Sequence, residues 1–158
     1  MIRPGVLADL PAVSEVFRRA SLANVRYRAA LLAHPEHLIF GPEGLAEGRT
    51  QVAEQHGSVV GFATWADAGG VAELEDLFVD PPWWRRGIAT ALVKCIAEVM
   101  HARGVERLEV TANPDAVRFY TSVGFTSCSV VSTEFGDAPR MVLAIRTVTA
   151  ASDEPTDA

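Results

Sequence analysis

The chain has 158 residues, enough for one well-buried domain and too few for two comfortable ones. Apolar residues make up 49% and charged residues 22%, an ordinary globular balance, and no apolar run reaches the length of a membrane span. The net charge of −6 argues against a nucleic-acid partner. No apolar leader follows Met1, and the two cysteines, Cys95 and Cys128, are too few for a disulfide framework or a metal site; a reducing cytoplasm is the expected compartment. Cys95 falls on the apolar face of a helix and reads as a small core hydrophobe.

The elements follow in chain order. Residues 2–4 read as a short opening strand. A helix starts near Asp9, the candidate N-cap, and repeats apolar residues at Leu10, Val13, Val16, Phe17 and Ala20. A second helix is expected over residues 22–33, ended by His34-Pro35. Residues 35–48, with two prolines and three glycines, predict a loop with a helical turn near 42–47. Three strands follow, at 50–55, 59–65 and 71–79, joined by turns at His56-Gly57 and at residues 67–70. A helix over 87–103 carries Ile88, Leu92, Ile96 and Met100 on one stripe, with Ala89, Val93 and Ala97 beside it, and Gly104 ends it. A strand at 108–112 precedes a helix that begins after Asn113-Pro114 and closes near Gly124. Strands at 125–133 and 141–147 form a last antiparallel pair across a turn at residues 136–139. This order predicts an α/β fold, a mixed sheet with helices on both faces, in a single domain over residues 1–148. Residues 149–158 form an acidic tail with almost nothing apolar to bury, and disorder is the expectation there.

The most informative segment runs from Leu77 to Thr90. An apolar strand enters Asp80-Pro81-Pro82, then Trp83, Trp84, Arg85, Arg86 and Gly87, and a helix begins at once. Unpaired N–H groups and the dipole of a helix N-terminus attract anions, Gly87 leaves room for a phosphate beside the backbone, and Arg85 and Arg86 add cationic donors. The alternative at this level is a tight turn with solvated arginines. A second segment holds Asn113, Ala116 and Tyr120, followed by Gly124-Phe125. Asn before Pro is a standard helix start, and a tyrosine on an amphipathic helix is commonly a core aromatic.

Taken together the two segments resemble the GNAT superfamily of acetyl-CoA-dependent N-acetyltransferases. That family's first motif, Gln/Arg-x-x-Gly-x-Gly/Ala after a strand ending Val-x-Pro, stands here as Trp84-Arg85-Arg86-Gly87-Ile88-Ala89 after Val79-Asp80-Pro81. Its second motif is matched by Asn113, Ala116, Tyr120 and Gly124-Phe125. Trp84 departs from the usual Gln or Arg, which puts one side-chain phosphate contact in question. Element order follows the family over residues 1–147, and the motifs are specific over 74–125. The resemblance implies the acyl-CoA N-acyltransferase fold, a central mixed sheet flanked by helices. It implies acetyl-CoA as cosubstrate with no metal. The pantetheine arm would pair with the main chain of Leu77, Phe78 and Val79 and meet Asn113 and Ala116. The pyrophosphate would rest on Arg85, Arg86, Gly87, Ile88, Ala89 and Thr90, and Tyr120 would protonate the departing thiolate.

An amine acceptor arrives protonated, with a pKa of about 10.4 for a lysine-like amine, and must lose a proton before it attacks. Glu75 and Glu73, on the strand that feeds the turn, are the candidate bases, with Glu109 on the next strand a third; each is equally readable as a solvated or salt-bridged carboxylate. His34, His37 and His56 lack metal-ligand spacing. His34 and His37 stand near the expected acceptor side, and Trp65 is either an acceptor wall or a core residue. The expected partner is a small-molecule or peptide amine, with no nucleic acid and no membrane, and a homodimer is in keeping with small enzymes of this kind. The alternative is a non-catalytic acyl-CoA-binding or regulatory domain of the same fold. A third reading, an unrelated α/β fold with another phosphate ligand, predicts no CoA affinity.

Overall fold

The computed structural model describes residues 1–145. The end of the last expected strand and the acidic tail therefore lie outside the described residues. Seven strands hydrogen-bond into one mixed sheet: β1 (Ile2–Pro4), β2 (Thr50–Gln55), β3 (Ser58–Asp67), β4 (Val71–Val79), β5 (Arg107–Thr111), β6 (Thr126–Thr133) and β7 (Gly136–Ala144). Their order is β1-β2-β3-β4-β5-β7-β6. The β4–β5 pair is parallel, while β1–β2, β2–β3, β5–β7 and β6–β7 are antiparallel. The helices are α1 (Leu10–Ala23), α2 (Arg28–Ala33), α3 (Glu43–Ala46), α4 (Ile88–Ala102) and α5 (Val117–Ser122).

Packing divides the described residues into two compact units, Met1–Ala66 with Leu74–Ile96, and Asp67–Glu73 with residues 97–145. In the first, Val13 and Val16 of α1, Leu45 of α3, Val52 of β2 and Phe62 of β3 form a core, rimmed by Leu10, Phe17, Phe40, Val59 and Phe78. Phe62 stacks on Phe78 with centroids 5.7 Å apart, and Phe17 meets Phe78 edge-on at 5.0 Å. The apolar stripe of α4 is buried as its spacing predicts, at Ile88, Leu92, Val93 and Ile96. In the second unit Met100, Leu108, Val110, Phe125 and Met141 are buried, and Tyr120 meets Phe125 edge-on at 5.2 Å.

Three local expectations are corrected. The helical stretch 22–33 is broken: α1 continues to Ala23, the Asn24 side chain accepts from the Arg26 N–H at 3.1 Å, and α2 restarts at Arg28. That is an Asn-driven turn without Gly or Pro to announce it. Asp9 occupies the cap position of α1 but does not cap it. Its carboxylate instead takes the Arg3 guanidinium fork at 2.8 and 2.9 Å and the Val6 N–H at 2.8 Å, stronger charge-assisted bonds than a helix cap supplies. The last hairpin turns at Glu134-Phe135, so residues 136–139 belong to β7. The Thr133 hydroxyl closes that turn, accepting from the Phe135 N–H and donating to the Gly136 carbonyl.

Candidate active site

The β4-to-α4 connection is held from several sides. The Asp80 N–H donates to the Val60 carbonyl at 2.8 Å, and the Trp83 N–H donates to the Asp80 carbonyl at 2.8 Å. The Asp80 carboxylate is buried, and Arg19 of α1 grips it through Nε and a terminal nitrogen at 3.1 and 2.7 Å. Pro81–Trp83 form a single 3₁₀ turn. Trp84 bends its indole back so that Nε1 donates to the Val79 carbonyl at 2.7 Å. The departure from the usual Gln or Arg thus has a structural role: the side chain braces the turn it sits in.

Arg85 and Gly87 both adopt left-handed backbone, with φ of 63° and 81°. The first is uncommon for a residue with a Cβ and is sustained by the braces on either side. A Cβ at Gly87 would meet no protein atom within 4 Å, so the space beside the backbone is open. The Gly87 carbonyl accepts from the Ala91 N–H at 3.0 Å and starts α4. The first N–H groups of this fifteen-residue helix therefore have no partner within it, beside exposed Arg85 and Arg86. Arg86 lies over the Trp83 ring at 5.0 Å, which restrains the guanidinium without neutralising it. The geometry is that of an anion cradle built from backbone, two arginines and a helix end.

In the second unit, Asn113 stands where β5 ends. Its side-chain oxygen accepts from the Asp115 N–H at 2.9 Å, so the capping role is real, and its amide still carries two N–H donors. Ala116 ends the 3₁₀ turn that leads into α5. Tyr120 is buried between Phe119 and Phe125, and burial pushes its hydroxyl well above the ordinary phenol value. Burial keeps it a protonated phenol at neutral pH, able to donate its proton.

The carboxylates differ sharply in their surroundings. Glu73 is held through both oxygens by Arg140 of β7, at 2.7 and 2.5 Å. Arg140 also reaches Glu109 at 2.9 Å and the Thr111 hydroxyl at 2.9 Å. Arg107 and Arg140 together keep Glu109 below its ordinary range. Glu75 pairs with Arg49 at 2.9 Å, and Arg49 also holds Glu47 and the Trp65 carbonyl. Each carboxylate that the sequence offers as a base is thus engaged by an arginine. Asp76 is the exception in kind: burial pushes its carboxyl up to about 6, while the Thr64 hydroxyl acts to lower it. His34 and His37 flank Glu36 on an exposed 3₁₀ turn, and Trp65 is buried in β3. Among the described residues no group of three or more His, Cys, Asp or Glu is arranged to hold a metal, and no helix is long and apolar enough to cross a membrane.

Comparison with known proteins accords with this geometry. The chain is 36% identical over 90 residues to an uncharacterised N-acetyltransferase of Methanocaldococcus jannaschii, a match covering 51% of this chain and 40% of that relative's length. It is 29% identical over 145 residues to glucosamine 6-phosphate N-acetyltransferase 1 of Oryza sativa subsp. japonica, covering 82% of each. Among solved structures, the PaiA N-acetyltransferase of Thermoplasma acidophilum in complex with coenzyme A superposes with a TM-score of 0.72 at 21% identity, over 91% of this chain and 98% of the other. The ribosomal-protein-S18-alanine N-acetyltransferase of Escherichia coli gives 0.69 at 24% identity, over 92% and 93%. The profile of the acetyltransferase (GNAT) family matches residues 16–125, and the chain belongs to that family.

Proposed function

We propose that the protein transfers an acetyl group from acetyl-CoA to a primary amine by direct attack within a ternary complex. The observation that carries this reading is the braced cradle at the start of α4, where left-handed Arg85 and Gly87 open the backbone to a phosphate in a chain of this family. The pyrophosphate sits on residues 85–90, and the pantetheine arm pairs with the main chain of Leu77, Phe78 and Val79. A backbone N–H near Val79 polarises the thioester carbonyl and stabilises the oxyanion as it forms. The free amide donors of Asn113 bind the arm, Ala116 lies against it, and Tyr120 supplies the proton that the thiolate takes on leaving. Burial keeps Tyr120 protonated, so its hydroxyl still carries the proton when the thiolate leaves.

The acceptor is cationic. Glu73, Glu75 and Asp76 stand within four consecutive residues of β4, whereas Arg85 and Arg86 mark the phosphate end. That polarity favours an ammonium group and disfavours a phosphate backbone. The acceptor class is a small molecule or a peptide amine. The test is thiol release from acetyl-CoA across a panel of primary amines and matched alcohols. Amine-dependent release is expected. Release with alcohols alone overturns the amine assignment, and CoA binding with no release for any acceptor favours a binding or regulatory domain.

A further inference from the structure

The connection from β4 to α4 opens with Pro81 and Pro82, which have no N–H to give. That leaves its start short of backbone donors, and side chains hold it instead. Trp84 binds the Val79 carbonyl from within the connection. A second anchor comes from outside it. Arg19 of α1, 61 positions earlier in the chain, sets Nε and a terminal nitrogen against the two carboxylate oxygens of Asp80. A fork on both oxygens fixes direction as well as distance. Asp80 is buried, and half-exposed Arg19 offsets its charge.

Arg19 is itself firmly placed. Its neighbours Val16 and Ala20 are buried, and Phe17 meets Phe78 of β4 edge-on at 5.0 Å. α1 is thus packed on the strand that leads into the connection, and Arg19 reaches the first residue past that strand. The residues that follow need such an anchor. Arg85 keeps a left-handed backbone, with φ of 63°, which a residue with a Cβ adopts when its surroundings impose it. Gly87 then leads into α4. The grip on Asp80 fixes where this run starts, Trp84 fixes its middle, and the buried stripe of α4 fixes its end.

We propose that Arg19 is a positioning residue for the cofactor: its fork on Asp80 holds the connection in the shape that receives the pyrophosphate, so α1 sets CoA affinity without touching CoA. The inference rests on the CoA reading of the cradle given above and not on the identity of the acceptor. The Arg19 charge is committed to Asp80, so it does not act as a third phosphate arginine beside Arg85 and Arg86. The two roles predict opposite signs. If Arg19 positions the connection, removing the Asp80 charge loosens the turn and weakens CoA binding. If Arg19 bound phosphate directly, removing that charge would release the guanidinium and tighten binding.

The experiment is calorimetry with CoA on wild type, Arg19→Met, Arg19→Lys, Asp80→Asn and the double variant Arg19→Met/Asp80→Asn, with urea unfolding to show that each is folded. Steady-state kcat and KM for acetyl-CoA are measured alongside with an accepted amine. Arg19→Met leaves a buried carboxylate unpaired, and the Kd for CoA should rise about tenfold or more. Arg19→Lys should recover part of that loss, since an ammonium cannot reproduce the planar fork. Asp80→Asn should weaken binding too, and the double variant should bind no worse than Arg19→Met, because both changes break one interaction. KM for acetyl-CoA should carry the effect while kcat at saturation stays near wild type. Glu15→Gln, 4.0 Å from Arg19 on α1, should alter neither. Should Arg19→Met fail to fold, the double variant carries the comparison: the same loss supports the proposal and wild-type affinity overturns it. Unchanged CoA affinity in a folded Arg19→Met, tighter binding in Asp80→Asn, additive losses in the double variant, or a loss confined to kcat also overturns it. Wild type that binds no CoA refutes the cofactor reading and this proposal with it. Wild type that binds CoA but acetylates no amine refutes the amine reading alone, and the calorimetry still decides the role of Arg19.

Discussion

A carboxylate placed in an apolar face costs stability, and that cost is measurable without any substrate. Asp76 titrates at about 6 where a solvated aspartate titrates at 3.8. Each pH unit corresponds to about 1.4 kcal/mol, so holding the ionised carboxylate in the fold costs about 3 kcal/mol. Asp76→Asn keeps the shape and removes the charge. That figure already includes the Thr64 hydrogen bond, which favours the ionised form, so the net gain at pH 7.5 is about 3 kcal/mol. The folded state binds the proton more tightly than the unfolded chain, and wild-type stability therefore falls as pH rises from about 4 to about 6, then levels. The advantage of the variant should be near zero at pH 4, grow across that window and stay constant above it. Urea unfolding of both proteins at half-unit pH steps reads this directly, and at pH 7.5 a melting-point increase of about 6–12 °C should accompany it. A variant that is destabilised at pH 7.5, or whose advantage is the same at pH 4 and pH 7.5, refutes the idea that burial of an ionised carboxylate sets this group's behaviour.

The remaining predictions concern the cofactor and its chemistry. Tyr120→Phe keeps the buried ring and removes only the proton donor, so CoA affinity by calorimetry should be unchanged while kcat falls about a hundredfold; full activity would make Tyr120 a packing residue. Gly87→Val puts a branched side chain on a backbone with φ of 81°. Stability should fall by about 1–2 kcal/mol from the left-handed backbone alone, and CoA affinity at least tenfold, because the added side chain fills the open space rather than striking protein. Trp84→Phe deletes the bond to the Val79 carbonyl and should raise the Kd for CoA by loosening the turn, whereas a direct phosphate role for the indole would predict a salt-dependent change instead.

The fold is legible in the sequence where the signal is local and periodic. The strand expected at 71–79 is β4, Val71–Val79, because turn residues bound it on both sides; α4 follows from an apolar stripe between Gly87 and Gly104. The cradle is legible as strand, turn, arginines and glycine, and the left-handed backbone at Gly87 is what that glycine provides. What escapes is set by distant partners. Arg140 lies 67 positions from Glu73, and nothing in the local sequence of either announces the pair. Asp9 reads as a cap until Arg3 is beside it. The indole at 84 reads as a departure from a motif until its bond to Val79 is seen. Asp76 does leave a trace: in strand alternation it shares a face with Phe78, so a carboxylate occupies an apolar position. That mismatch between charge and face is the sequence signal for a perturbed titrating group.

Transfer of acetyl from acetyl-CoA to an amine is tested most directly by product stoichiometry. The protein is incubated with acetyl-CoA labelled with 13C in the acetyl group and with a panel of primary amines, and free CoA and labelled N-acetyl product are measured together by mass spectrometry. Equal amounts of CoA and acetylated amine are predicted, formed only with protein present and abolished by removing the amine. Release of CoA with labelled acetate and no acetylated amine, or tight CoA binding with neither product for any amine, would contradict acetyl transfer to an amine.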